Sequence, residues 1–123
     1  MKRIMMQVYT QNSAEAVALY QKAFDATLGD HVKKPDGSFY HSELDVYGQI
    51  LSVAEGPGES LVPGNTMQFC LHFYPHEDAA LQKAYNALKE GAQILTPMGP
   101  CDFSDSMADL IDRFGVRWCL FAV

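Results

Sequence analysis

The chain is short of cysteine. It has three, Cys70, Cys101 and Cys119, an odd number with no CxxC spacing. A disulfide framework or a zinc ribbon needs paired or closely spaced cysteines, so neither is expected, and a reducing compartment is. Runs of positive charge are missing too: nothing longer than Lys2-Arg3 and Lys33-Lys34 occurs, and the formal net charge is -6. A nucleic-acid partner is therefore not expected, because its electrostatic footprint is absent. No apolar run approaches the roughly 18 residues of a membrane span. Near the N-terminus, Gln7 breaks the apolar stretch too early for a secretory signal. The expected location is the cytoplasm, without a membrane partner. Finally, no Gly-rich loop follows the first strand-like segment, which argues against a methyltransferase of the usual type with a cradle for its methyl donor.

What is present suits one folded domain. At 123 residues, 48% hydrophobic and 20% charged, the chain is long enough to bury a core and too short for two full-sized domains. Its main feature is a repeat. The segment "NSAEAVALYQKAF" (12–24) is echoed by "HEDAALQKAYNAL" (76–88), and each follows a strand-like run, "IMMQVYT" and "TMQFCLHF". Ala16, Val17, Tyr20, Ala23 and Phe24 fall on one face of the first helix, and Leu81, Ala84, Tyr85 and Leu88 on one face of the second, so both stripes read as core. Asn12 with Glu15 has the spacing of a capping box; Glu77 and Asp78 suit the start of the second helix and Gly91 its end.

The echo continues. Asp45-x-Tyr47-Gly48 matches Asp112-x-Phe114-Gly115, each Gly lying where two strand-like runs meet, as in a hairpin turn needing positive φ. A further strand precedes each hairpin, "ATLGDHVKK" and "AQILTPM", so each half reads βαβββ. The segment between the halves, "EGPGESLVPGN" (55–65), is linker chemistry with no element in it. The expected organisation is a single domain, 1–123, of two modules, about 1–55 and 66–123. One such module alone leaves a sheet face wet, which is marginal at that size; two facing each other enclose a cavity.

These residues resemble the vicinal oxygen chelate superfamily of glyoxalases, bleomycin-resistance proteins and extradiol dioxygenases, and within it the PhnB-like group. The resemblance rests on Asn12, Glu15, Ala16, Tyr20 and Phe24 of the first helix, on His41, Glu43 and Leu44, and on Asp112, Phe114, Gly115, Val116 and Trp118 near the end. It implies an α+β fold of tandem βαβββ modules forming a half-open barrel with a cavity. It also implies a divalent ion held by His and Glu on the first and last strand of each half. Carried over by register, those positions are Met5, Ser52, Gln68 and Cys119, with Gln7 the alternative on the first strand. None is a His or a carboxylate, so neither the customary metal nor another cofactor is expected.

Strand alternation places Met67, Phe69, Leu71 and Phe73 on one face, for packing under the helix, and Gln68, Cys70 and His72 on the other. The same alternation places His41, Glu43 and Asp45 opposite Leu44 and Val46. His41 with Glu43 is the most chemically suggestive pair, since a carboxylate beside an imidazole can orient it as a base or hold it for a metal. His41, Glu43 and His72 are the candidate catalytic residues, and Gln7, Gln68, Cys70, Phe103 and Cys119 the candidate substrate contacts. Cys70 and Cys119 also read as small buried hydrophobes, Trp118 as core or cavity wall, and His31 and His76 as surface. The segment "GPCDFSDSMADL" (99–110) reads as an acidic loop through Asp102, Asp105 and Asp109, either merely solvated or favouring a cationic ligand.

Three functions follow: a small-molecule-binding protein or enzyme of unknown reaction without the customary metal; a metal-dependent lyase or dioxygenase with its site moved to His41, Glu43 and His72; and a drug-sequestering protein of the resistance type. A homodimer is expected, because open sheet edges call for pairing or cover.

Overall fold

Each copy of the repeat folds as a strand, a helix and three more strands. The computed structural model describes residues 1–123, which form two units, Met1–Val62 and Pro63–Val123. The first contains β1 (Met6–Thr10), α1 (Ser13–Phe24), β2 (Thr27–Lys33), β3 (Phe39–Val46) and β4 (Gln49–Glu55). The second contains β5 (Phe69–Phe73), α2 (Asp78–Leu88), β6 (Gln93–Gly99), β7 (Ser106–Ile111) and β8 (Arg117–Ala122). The sheets have the orders β1-β4-β3-β2 and β5-β8-β7-β6. Only the first and fourth strands of each unit pair in parallel. Each sheet is open, and the tandem βαβββ arrangement of an α+β fold is present as the repeat implied. No helix is long and apolar enough to cross a membrane.

The helices bury the stripes expected of them except Tyr85, which is only half-buried. In the first unit Ala16, Val17, Tyr20, Ala23 and Phe24 are buried, as are Leu44, Val46, Leu51 and Val53 of the sheet. In the second, Leu81, Ala84 and Leu88 are buried, together with Ala108, Leu110, Trp118 and Leu120. Each large side chain so buried contributes about 1.5–3 kcal/mol to the driving force for folding. Alternation therefore decides which face of each sheet stays available. In β3 it is the face of His41 and Glu43, and in β5 that of Cys70 and His72.

Four expectations need correction. The Asn12–Glu15 capping box is absent, because Asn12 sits in the left-handed region (φ 55, ψ 54), away from the extended backbone that lets an N-cap side chain reach back. Glu55, at the end of β4, takes that role. Its carboxylate accepts the Asn12 N–H at 3.1 Å, the Ser13 N–H at 2.9 Å and the Ser13 hydroxyl at 2.8 Å. Met67 does not pack under a helix: it is 76% exposed, because the β5–β8 ladder begins only at Phe69 opposite Trp118. The linker holds one element, a short 3-10 turn at Gly58–Ser60. Asp109 is not in a loop but in β7.

The two hairpins differ by one residue. Val46 pairs with Gln49 around a two-residue turn in which Tyr47 and Gly48 both have positive φ, 52 and 83. In the second unit the turn is longer, with the Asp112 N–H bonded to the Val116 carbonyl at 2.8 Å and Gly115 at φ 86. The extra residue moves the turn aspartate to the other face of its strand. Asp45 is exposed, while Asp112 is 3% exposed. Asp112 Oδ1 accepts the N–H groups of Phe114 and Val116, and Oδ2 accepts the Trp118 indole N–H at 2.9 Å.

Candidate functional site

On the face of the first sheet opposite α1, Gln7, Ser52 and Glu43 stand side by side across β1, β4 and β3. His41, two residues from Glu43, shares that face. The Arg3 guanidinium, just before β1, donates to both Glu43 oxygens, at 2.5 Å and 3.4 Å. His41 bridges the group: its Nδ1 lies 3.2 Å from Gln7 Oε1 and its Nε2 3.2 Å from Glu43 Oε1. Both ring nitrogens thus face acceptor oxygens. An imidazolium satisfies both by donating twice, and a neutral ring does so only if Gln7 turns to present its amide N–H. The Arg3 hydrogen bond, followed by that of His41, holds the Glu43 carboxyl below its ordinary value.

Ser52 is the exception within this group. Its hydroxyl is fully buried and has no hydrogen-bond partner. The neighbouring Ser42, equally buried, donates to the Val53 carbonyl at 2.6 Å. Thr10 carries the other buried hydroxyl without a partner, at the end of β1.

The second sheet carries a corresponding polar face. Cys70 lies beside Cys119, and Cys119 beside Asp109, across β5, β8 and β7. Asp109 is fully engaged: Arg117 donates to it at 3.1 Å and 2.8 Å, and the Gln68 amide at 2.9 Å. Cys70 is exposed rather than a buried hydrophobe, since only one face of β5 is covered; Cys119 is half-buried. Burial first, then the neighbouring Cys70 thiol, push the Cys119 thiol up to about 11, so it stays protonated at neutral pH. His72 stacks on Phe121 (4.7 Å between ring centroids) and its Nε2 donates to the Val123 carbonyl at 2.9 Å. Phe103 meets Phe121 edge-on at 5.6 Å and, with Cys101, Asp102, Asp105 and Asp78, lines an open cavity of about 570 Å³.

Of the residues singled out from sequence, the structure joins Gln7, His41 and Glu43 in the first unit, and Gln68 with Cys70 and Cys119 in the second. His72 and Phe103 meet through Phe121, apart from the Asp109 group. His31 and His76 are exposed. Sequence reasoning misses Arg3 and Arg117 in these polar faces and reads Ser52 only as a metal position. Arg3 alternates in phase with Met5 and Gln7, which is the one signal that pointed to it.

No family model matches the chain. It is 30% identical over 117 residues to the uncharacterised protein Mb0911c of Mycobacterium bovis, covering 89% of this chain and 75% of that one, and shares a family with it. In structure it superposes on protein PA1353 from Pseudomonas aeruginosa with a TM-score of 0.83 at 23% identity, over 99% of this chain and 98% of the other. It superposes likewise on the PhnB protein from Bacillus cereus, described as a putative 3-demethylubiquinone-9 3-methyltransferase, with a TM-score of 0.81 at 20% identity, over 99% and 100% of the two chains. The chain has the same fold as these two proteins.

The metal positions that the resemblance implies are poorly furnished here. Met5, Ser52, Gln68 and Cys119 offer a thioether, a hydroxyl, an amide and a protonated thiol, a weak donor set for a first-row divalent ion. The adjacent carboxylates do not repair it, because Glu43 and Asp109 are each held by an arginine. No group of three or more His, Cys, Asp or Glu in either unit is arranged as a metal site. The residues present therefore do not fit the ion that the resemblance implies at those positions.

Proposed function

We propose that this chain is a vicinal oxygen chelate protein that binds a small molecule on the polar face of its first unit, by hydrogen bonds from Ser52, His41 and Gln7 around the Arg3–Glu43 ion pair. The observation that carries this reading is the Ser52 hydroxyl. Leaving a buried hydroxyl unpaired costs about 1–3 kcal/mol, yet here one stands between Gln7 and Glu43 on the face that no helix of its own unit covers. A ligand oxygen or nitrogen would satisfy it once the side chains that cover it move aside. Gln7 and His41 would position such a ligand, while Arg3 keeps Glu43 ionised and neutralises its charge.

The polar groups of the second unit favour this role less, because Gln68 is bonded to Asp109, and His72 to the Val123 carbonyl. A metal-dependent reaction routed through His41 and Glu43 would first have to displace Arg3. A methyltransferase, the role named for the Bacillus cereus protein, is opposed by the absence of a Gly-rich loop after β1.

The test is a thermal-shift screen of small polar molecules against the full chain, with His41→Ala and Ser52→Ala in parallel. Compounds that raise the Tm of the wild type and lose their effect in both variants are expected. Hits indifferent to both substitutions would contradict the reading.

A further inference from the structure

Cys70 and Cys119 are partners across the parallel β5–β8 ladder, so their side chains leave the same face of the sheet. Neighbouring strands lie about 4.8 Å apart, within the roughly 4.4–6.8 Å between Cα atoms that a disulfide spans. Both residues are free thiols, Cys70 exposed and Cys119 half-buried. The remaining cysteine, Cys101, lies in the loop between β6 and β7, where its N–H is bonded to the Ser104 carbonyl at 2.8 Å. We propose that Cys70 and Cys119 form a peroxide-oxidisable dithiol that closes a disulfide between β5 and β8, leaving Cys101 free.

The exposures assign the roles. The Cys70 sulfur, as thiolate, attacks one oxygen of hydrogen peroxide; the O–O bond breaks, and the departing hydroxide takes up a proton and leaves as water. Cys70 is then a sulfenic acid. The Cys119 sulfur attacks the Cys70 sulfur while its proton passes to the departing hydroxyl. The S–O bond breaks, the S–S bond forms and a second water leaves, so two electrons in all pass from the thiols to the peroxide. Cys119 suits the second role, since its partial burial hinders direct contact with peroxide and its place opposite Cys70 in the ladder sets it beside the sulfenic acid. Arg117, anchored on Asp109 beside Cys119 in the ladder, adds a cationic neighbour to this sheet face.

The test uses the full chain under its own conditions. Reduced protein is treated with hydrogen peroxide near neutral pH, remaining thiols are alkylated, and the digest is mapped by mass spectrometry. The expected product is a linked pair of peptides carrying Cys70 and Cys119 within a monomeric chain, with Cys101 alkylated. Cys101→Ser should retain the link, and Cys70→Ser and Cys119→Ser should each abolish it. Sulfinic acid at Cys70 with Cys119 still alkylated, a link through Cys101, or a disulfide between two chains would overturn the proposal. The wild-type map decides the matter even if a variant fails to fold.

Discussion

Glu43 and Asp109 occupy corresponding positions in the two sheets, and each is gripped by an arginine. Glu43 stands beside Ser52 and is held by Arg3; Asp109 stands beside Cys119 and is held by Arg117. The arginines come from different places, one preceding the first strand and the other in the last. In both copies the carboxylate beside the metal position that the resemblance implies is already neutralised, and Ser52 is left as the unsatisfied polar group of its cluster.

That hydroxyl gives the first prediction. Ser52→Ala removes a buried group without a partner and leaves a methyl in nearly the same volume. Urea denaturation of the ligand-free variant should show stability unchanged or raised by up to about 1 kcal/mol. A loss of about 1 kcal/mol or more would mean that the hydroxyl is already bonded within the protein.

Acid titration probes the Glu43 cluster. Its carboxyl is held below 4.5, chiefly by Arg3 and then by His41, so the folded state binds this proton less readily than the unfolded state does. The resulting stability is fully present above 4.5 and is lost as pH falls through the lower, folded-state value. Glu43→Gln should therefore flatten the acid side of a Tm-against-pH curve and leave its slope above pH 6 unchanged. An acid limb as steep in the variant as in the wild type would show that the contact does not contribute.

The one-residue difference between the hairpins predicts unequal costs at two aspartates. Asp112→Ala strips the partners from two backbone N–H groups and the Trp118 indole in a buried setting, which should cost about 3 kcal/mol in denaturant unfolding. Asp45→Ala loses one exposed bond, to the Gly48 N–H at 2.6 Å, and should cost under about 1 kcal/mol. Equal costs would contradict the burial of Asp112.

Glu55 should matter although it lies in a segment that reads as linker. Its carboxylate supplies the cap that Asn12 does not, so Glu55→Ala should destabilise the fold by about 1–2 kcal/mol. Asn12→Ala should have little effect beyond its left-handed backbone, a contrast that unfolding curves of the two variants would display.

The contrast between Asn12 and Glu55 also shows which parts of the architecture could be read from sequence. Helical stripes, hairpin glycines and the repeat are local patterns, and α1, α2, Gly48 and Gly115 lie where those patterns put them. The Glu55 cap and the Arg3–Glu43 and Gln68–Asp109 contacts join residues about 40 positions apart, and only strand register brings them together. The His41–Glu43 pair was legible because alternation alone places i and i+2 on one face. Asp109 reads as part of a loop in the sequence because three aspartates and two serines between 102 and 109 mask the start of β7. The burial of Asp112 depends on a turn one residue longer than its counterpart, which matching the Asp-x-aromatic-Gly motifs conceals.

The most direct test of hydrogen-bonded, metal-independent binding at the Glu43 face is isothermal titration of the best screening hit with and without excess chelator. The account predicts the same Kd in both, and a Kd about tenfold weaker in His41→Ala, as expected for a lost hydrogen bond of about 1.4 kcal/mol. Loss of binding on chelation, restored by a stoichiometric divalent ion, would contradict it.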